Sequence, residues 1–136
     1  MKIVLDTTVV LAAFFFGGPS RQIIESVARG RTAAYATREI AAEYEAAVAK
    51  MASKKAGGLR PNLLLPFTTR LHIIGTRPKA ALCRHPGDDR FLSCAVDAKA
   101  HYIVIGFKEL RLRNQGKRVP MMTAEGFSQL LRLYES

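Results

Sequence analysis

The residues of this chain best placed to do chemistry together are three carboxylates, Asp6, Glu43 and Asp88, out of 11 acids in 136 residues. Asp6 directly follows the apolar run Lys2 to Leu5, at the end where a buried parallel strand would deliver it. Glu43 lies in "REIAAEYEAAVAKMASKK", where Ile40, Tyr44, Ala47, Val48 and Met51 form one stripe at helical spacing. At about 100° per residue, Glu43 falls roughly 85° from the centre of that stripe, on the border between core and solvent, and Glu45 falls near the opposite side. Asp88 opens "DDRFLSCAVDA", whose buried side is set by Phe91, Leu92, Ala95 and Ala98. It comes within about 40° of that side, whereas Asp89 is about 140° away and complements the helix amino terminus instead. Each acid also has a plainer reading: Asp6 and Asp88 as helix caps, Glu43 as a solvated edge residue.

Three carboxylates converging at one edge of a fold repel one another unless a cation holds them, and hard oxygen ligands suit Mg2+ or Mn2+. Such a cation activates water and neutralises the charge that develops on a phosphodiester. Lysine and arginine total 21 against the 11 acids, a formal charge of +10, which favours a polyanionic partner through counterion release. RNA, DNA or an acidic protein segment would each satisfy that preference, and a basic soluble protein with no such partner is the bland alternative. If the three acids converge, the residues suggest metal-dependent cleavage of a nucleic acid.

The elements that must position these acids follow from periodicity and turn residues. A strand over Lys2 to Leu5 precedes a helix that starts near Val9 and breaks at Gly17-Gly18-Pro19. A second helix, "SRQIIESVARG", is closed by Gly30. "TAAYAT" reads as a strand, and Thr37 caps the long helix that carries Glu43 and ends before Gly57-Gly58. In "PNLLLPFTTRLHIIGTRP", Pro66 predicts a helix broken in its middle, followed by a short strand at His72 to Thr76. A helix from Asp88 to about Ala100, the strand "YIVIG", a basic loop, the strand "VPMMT" and the helix "AEGFSQLLRLYE" complete the chain. Alternating strands and helices predict an α/β fold with a parallel sheet covered on both faces and ligands at the carboxyl ends of the strands.

At this length a single domain over residues 1–136 is expected. With 49% apolar and 24% charged residues the composition is that of a globular chain rather than a disordered one. Cys83 and Cys94 form no CxxC pair, which suits a reducing, cytoplasmic setting. With His85 and His101 they match no common zinc spacing, so the thiols read as structural. The opening "KIVLDTTVVLAAFFFGGPS" superficially suggests an export signal. Asp6 interrupts its apolar region after three residues, however, no A-x-A-like cleavage site follows Phe16, and the run is too short to span a membrane.

"MKIVLDTTVV", "TREIAAEYEAAV", "HPGDDRFLSCAVDAKAHYIVIG" and "VPMMTAEGFSQLL" together resemble the PIN-domain family, over Met1 to about Leu131. The closer likeness is to the VapC-like ribonuclease toxins of bacterial toxin-antitoxin systems. That resemblance implies a three-layer α/β/α fold with a central parallel sheet, and Mg2+- or Mn2+-dependent endonuclease activity on RNA. It also implies a homodimer, and a cognate antitoxin that inserts a segment into the active-site groove. The family's first three acids fall on Asp6, Glu43 and Asp88, as catalytic residues and metal ligands.

The chain departs from the family pattern at three places. Thr8 stands where the family usually has an asparagine, keeping hydrogen-bonding capacity with a shorter reach. His85, Pro86 and Gly87 replace the usual acidic run before the third acid. After the fourth strand the chain reads "IGF", so Phe107 occupies the position of a fourth acid, and Glu109 substitutes only if its loop folds back. Lowered metal affinity, weak activity, or a module that binds RNA or an antitoxin without cutting are all compatible with these changes, as is action on structured DNA. The basic loop "FKELRLRNQGKR" reads either as a solvated charged segment or as a phosphate-contacting one. In the second reading Lys108, Arg111 and Arg113, together with Thr8, would bind substrate.

Overall fold

The computed structural model of the chain describes residues 1–54, 61–77, 86–106 and 119–135, with the side chains of residues 61, 62, 86–89 and 135 outside that description. Strand β1 (Lys2–Leu5) is the centre of the fold. Its Ile3, Val4 and Leu5 are fully buried, as a strand covered on both faces requires. It is flanked by β2 (Ala33–Ala36) and β4 (Tyr102–Ile105), with β3 (His72–Ile73) and β5 (Met121–Thr123) at the two edges. All four pairings are parallel, in the order β3-β2-β1-β4-β5. The α/β architecture read from the alternating pattern is the one observed.

Six helices accompany the strands among the described residues, the first five between strands and the last after β5: α1 (Thr7–Phe15), α2 (Gly18–Ala28), α3 (Arg38–Lys54), α4 (Pro61–Arg70), α5 (Pro86–Ala98) and α6 (Ala124–Glu135). Helices α1, α2, α4 and α6 pack in a connected group, α3 joins it through α1, and α5 packs on β1, β2 and β4. Parallel crossovers are right-handed. The chain steps from β1 toward β2 and β3, then returns past β1 to β4 and β5, so the reversal places helices on both sides of the sheet. No described helix is long and apolar enough to cross a membrane.

Several boundaries differ from the sequence reading, each for a physical reason. Helix α1 starts at Thr7 rather than near Val9, because the Asp6 carbonyl already accepts the Val9 amide at 3.0 Å. Helix α5 starts at Pro86, two residues before Asp88; proline has no amide to leave unpaired in a first turn. Strand β3 ends early because its partner β2 turns into α3 after Ala36, whose carbonyl takes the Ile74 amide as the last rung. The expected break at Pro66 is absent, and α4 runs through it.

Packing accounts for the continuity of α4. The next residue, Phe67, is fully buried, with its ring edge-on to Phe14 at 6.0 Å and tilted against Tyr44 at 6.2 Å. Burying such a side chain stabilises by about 1.5–3 kcal/mol, and an aromatic pair adds about 0.5–1.5 kcal/mol. The two together match the roughly 3 kcal/mol an interior proline costs. Thr69 further satisfies the carbonyl of Leu65 through its hydroxyl at 2.8 Å.

Candidate active site

Asp6 sits at the point where the chain leaves β1 for α1. Its amide donates to the Val104 carbonyl at 2.9 Å, extending the β1–β4 ladder by one rung. Its backbone (φ −67°, ψ 147°) is that of an N-cap residue. The side chain makes no capping bond to the helix, however; the carboxylate accepts the hydroxyl of Thr8 at 2.7 Å. The helix-cap reading therefore holds for the backbone and not for the carboxylate. Neighbouring strands β1 and β4 lead off in opposite directions, so Asp6 stands at the topological switch point where open parallel sheets bind ligands.

At that crevice Gly106, just past β4, lies against Thr8: a Cβ there would stand 2.8 Å from the Thr8 hydroxyl oxygen. The absence of a side chain at Gly106 leaves Thr8 room to hold Asp6. Thr8, expected to contact substrate, has its hydroxyl on the Asp6 carboxylate in this structure.

Glu43 projects from α3, whose amino terminus is fixed by the Thr37 hydroxyl accepting the Ile40 amide at 3.1 Å. Ile40, Tyr44 and Val48 are buried, Ala47 and Met51 are partly buried, and Glu45 is exposed, as the helical stripe predicts. The Glu43 side chain retains 31% exposure, at the border of core and solvent. Both of its oxygens are engaged by Arg90 of α5, Nε to Oε1 at 2.8 Å and Nη2 to Oε2 at 2.9 Å, and Thr7 also donates its hydroxyl to Oε2. Burial pushes the Glu43 carboxyl up, but the hydrogen bonds from Arg90 and Thr7 and the Arg90 charge outweigh it. The group therefore titrates below the ordinary 4.5. The bond to Glu43 correspondingly raises Arg90, with Asp6 and Glu39 adding attraction.

Thr7 and Thr8 tie the two acids into one unit, since these consecutive residues hold Glu43 and Asp6 respectively. Tyr44, beside Glu43, donates its hydroxyl to the Leu5 carbonyl at 2.5 Å and so fastens α3 to the end of β1. Its hydroxyl is held well above its usual range, first by burial and then by repulsion from Cys94, Asp6 and Glu43.

Asp88 lies in the first turn of α5, two residues before Arg90; because the helix begins at Pro86, neither it nor Asp89 is the N-cap. Phe91, Leu92, Ala95 and Ala98 are buried as expected. The Asp88 side chain, and the whole of Cys83, His85, Phe107, Lys108, Glu109, Arg111 and Arg113, lie outside the described residues. Of the remaining zinc-type residues, Cys94 is buried, and His101 accepts the Lys2 amide at 3.0 Å. Among the described residues no three His, Cys, Asp or Glu side chains group around a common point. The described donors are the carboxylates of Asp6 and Glu43, hard oxygens of the kind Mg2+ and Mn2+ take, with the Arg90 guanidinium now paired to Glu43. The donor set fits such a cation.

The PIN domain family matches residues 2–106, which span β1 to the end of β4 and include all three acids. The chain belongs to the PIN-domain family. Comparison with curated proteins and with solved structures returns no match. The five-stranded parallel sheet flanked by helices agrees with the PIN fold, and the chain thereby carries a nuclease fold. Within this PIN domain the sequence reading missed Thr7, Arg90 and Gly106. Thr7 and Arg90 reach Glu43 across 36 and 47 residues of chain, separations at which periodicity carries no information. The one available signal for Gly106 was a glycine directly after a β-branched strand, a position where a close backbone approach is common.

Proposed function

We infer that this PIN domain is a Mg2+- or Mn2+-dependent endoribonuclease, acting as the toxin of a toxin-antitoxin pair. The observation that supports this reading most is that the consecutive residues Thr7 and Thr8 hydrogen-bond Glu43 and Asp6 respectively, beside the switch point of the sheet. Asp6, Glu43 and Asp88 would hold the cation. When bound, the cation supplies charge neutralisation at the phosphodiester and activation of water. Thr8 fixes the orientation of Asp6, and Thr7 that of Glu43. The charge of +10 draws the RNA backbone to the protein, with Lys108, Arg111 and Arg113 as phosphate contacts. A homodimer, and an antitoxin that enters the same groove, complete the proposal.

The test is cleavage of a labelled single-stranded RNA, with the same sequence as DNA alongside, by the parent chain and by Asp6→Asn. The parent should cut RNA only with added Mg2+ or Mn2+, and Asp6→Asn should lose at least 100-fold while keeping its helical circular dichroism. A variant that cuts as fast as the parent would rule out this mechanism. A parent that binds RNA without cutting would favour the non-cleaving module. Induction in bacteria tests the toxin role: growth should arrest with the parent and continue with Asp6→Asn.

A further inference from the structure

We propose that Arg90 is an internal counter-cation of the acid cluster: it holds Glu43 in the metal-free protein and leaves it when a divalent cation binds, so that cation binding and Arg90 release are one exchange. The proposal rests on the reading of Asp6 and Glu43 as metal ligands and concerns what this chain places on those ligands beforehand. An ionised carboxylate offers about four lone-pair sites. Three of Glu43's are taken: Oε1 accepts Arg90 Nε at 2.8 Å, while Oε2 accepts both Arg90 Nη2 at 2.9 Å and the Thr7 hydroxyl. Oε2 is therefore full. A cation reaching it must displace a donor, and the donor it repels is the guanidinium.

The surroundings of Arg90 suit such an exchange. Among the described residues it is attracted by Glu43, Asp6 and Glu39, so the guanidinium answers more than one carboxylate. Its side chain is 31% exposed and can leave toward solvent without unpacking the core. Its guanidinium carbon also lies 4.4 Å from the centre of the Phe91 ring, a second contact within its own helix. The fork is specific to arginine. Lysine in its place would keep the charge and lose the paired geometry.

The exchange is tested by titrating Mn2+ into the full chain without RNA, by calorimetry or by electron paramagnetic resonance, for the parent, Arg90→Lys and Arg90→Gln. Arg90→Gln should bind Mn2+ at least tenfold more tightly than the parent, with Arg90→Lys between them. A second measurement uses the parent alone: the Arg90 Nε–H resonance, protected by Glu43, should lose its protection as Mg2+ is added. Equal or weaker Mn2+ binding by Arg90→Gln, or an Nε–H signal unmoved by Mg2+, would overturn the exchange. If the parent binds Mn2+ and Asp6→Asn does not, the metal-ligand reading survives that failure. If neither the parent nor Arg90→Gln binds Mn2+, both fall together.

Discussion

Replacing Gly106 with alanine is a sensitive probe of how the acid cluster is held, because the consequence can be worked from one contact. A Cβ at this position would stand 2.8 Å from the Thr8 hydroxyl oxygen, about 0.6 Å inside the 3.4 Å at which ordinary contact begins. The hydroxyl has to turn away, and in turning it gives up its 2.7 Å bond to Asp6. A hydrogen bond to an ionised group contributes about 1.5–3 kcal/mol, and partial exposure of this one places the loss at about 1–2 kcal/mol. Gly75 supplies the control, since a Cβ there meets nothing within 4 Å. Its replacement by alanine should stabilise by about 0.4–1 kcal/mol through the unfolded chain.

In urea denaturation at neutral pH, Gly106→Ala should lower the midpoint by roughly 0.5–1 M with an unchanged slope, and Gly75→Ala should raise it slightly. The decisive arm is the background Thr8→Ala, which removes both the clash and the hydroxyl. In that background Gly106→Ala should no longer destabilise, giving a coupling energy of about 1–2 kcal/mol. Equal destabilisation in both backgrounds, or a midpoint for Gly106→Ala that tracks Gly75→Ala, would show that Gly106 does not act through the Thr8–Asp6 bond.

Two further outcomes follow from the same site. Tyr44→Phe removes the bond to the Leu5 carbonyl while keeping the ring that packs on Phe67, and should cost about 1 kcal/mol in chemical denaturation; a variant as stable as the parent would show that this bond does not fasten α3 to β1. Glu43 is lowered in the folded state, so its contribution is complete above the ordinary 4.5 and is lost as pH falls through the lower folded value. Stability profiles from about pH 6 to pH 3 should therefore fall more steeply for the parent than for Glu43→Gln, and parallel profiles would contradict the pairing with Arg90.

Much of the scaffold was legible in the sequence because it depends on short-range patterns. The run Lys2 to Leu5 reads as a strand buried on both faces, and the acid behind it necessarily falls at its carboxyl end. Helical spacing placed Glu43 at the border of the core and put Phe91, Leu92, Ala95 and Ala98 inside, and both placements are observed. Pro66 was misread because a local rule was outweighed by a distant one: the gain from seating Phe67 against Phe14 and Tyr44 exceeds what sequence neighbours reveal. The bonds that set the chemistry of the cluster were illegible for a related reason. Thr7 and Arg90 look like ordinary polar surface residues until the sheet order brings α1, α3 and α5 to one crevice. Even for Asp6, whose place at the end of β1 was legible, the sequence could not show that its carboxylate turns to Thr8 rather than to the helix amides.

If the carboxylates of this PIN domain work by holding a divalent cation, RNA cleavage by the purified chain after chelation with EDTA and dialysis, followed by stepwise return of Mg2+ or Mn2+, reads that dependence out. The stripped protein should not cleave, and either ion should restore full cleavage. Cleavage that persists undiminished in the chelator, at the rate seen before stripping, would contradict that dependence.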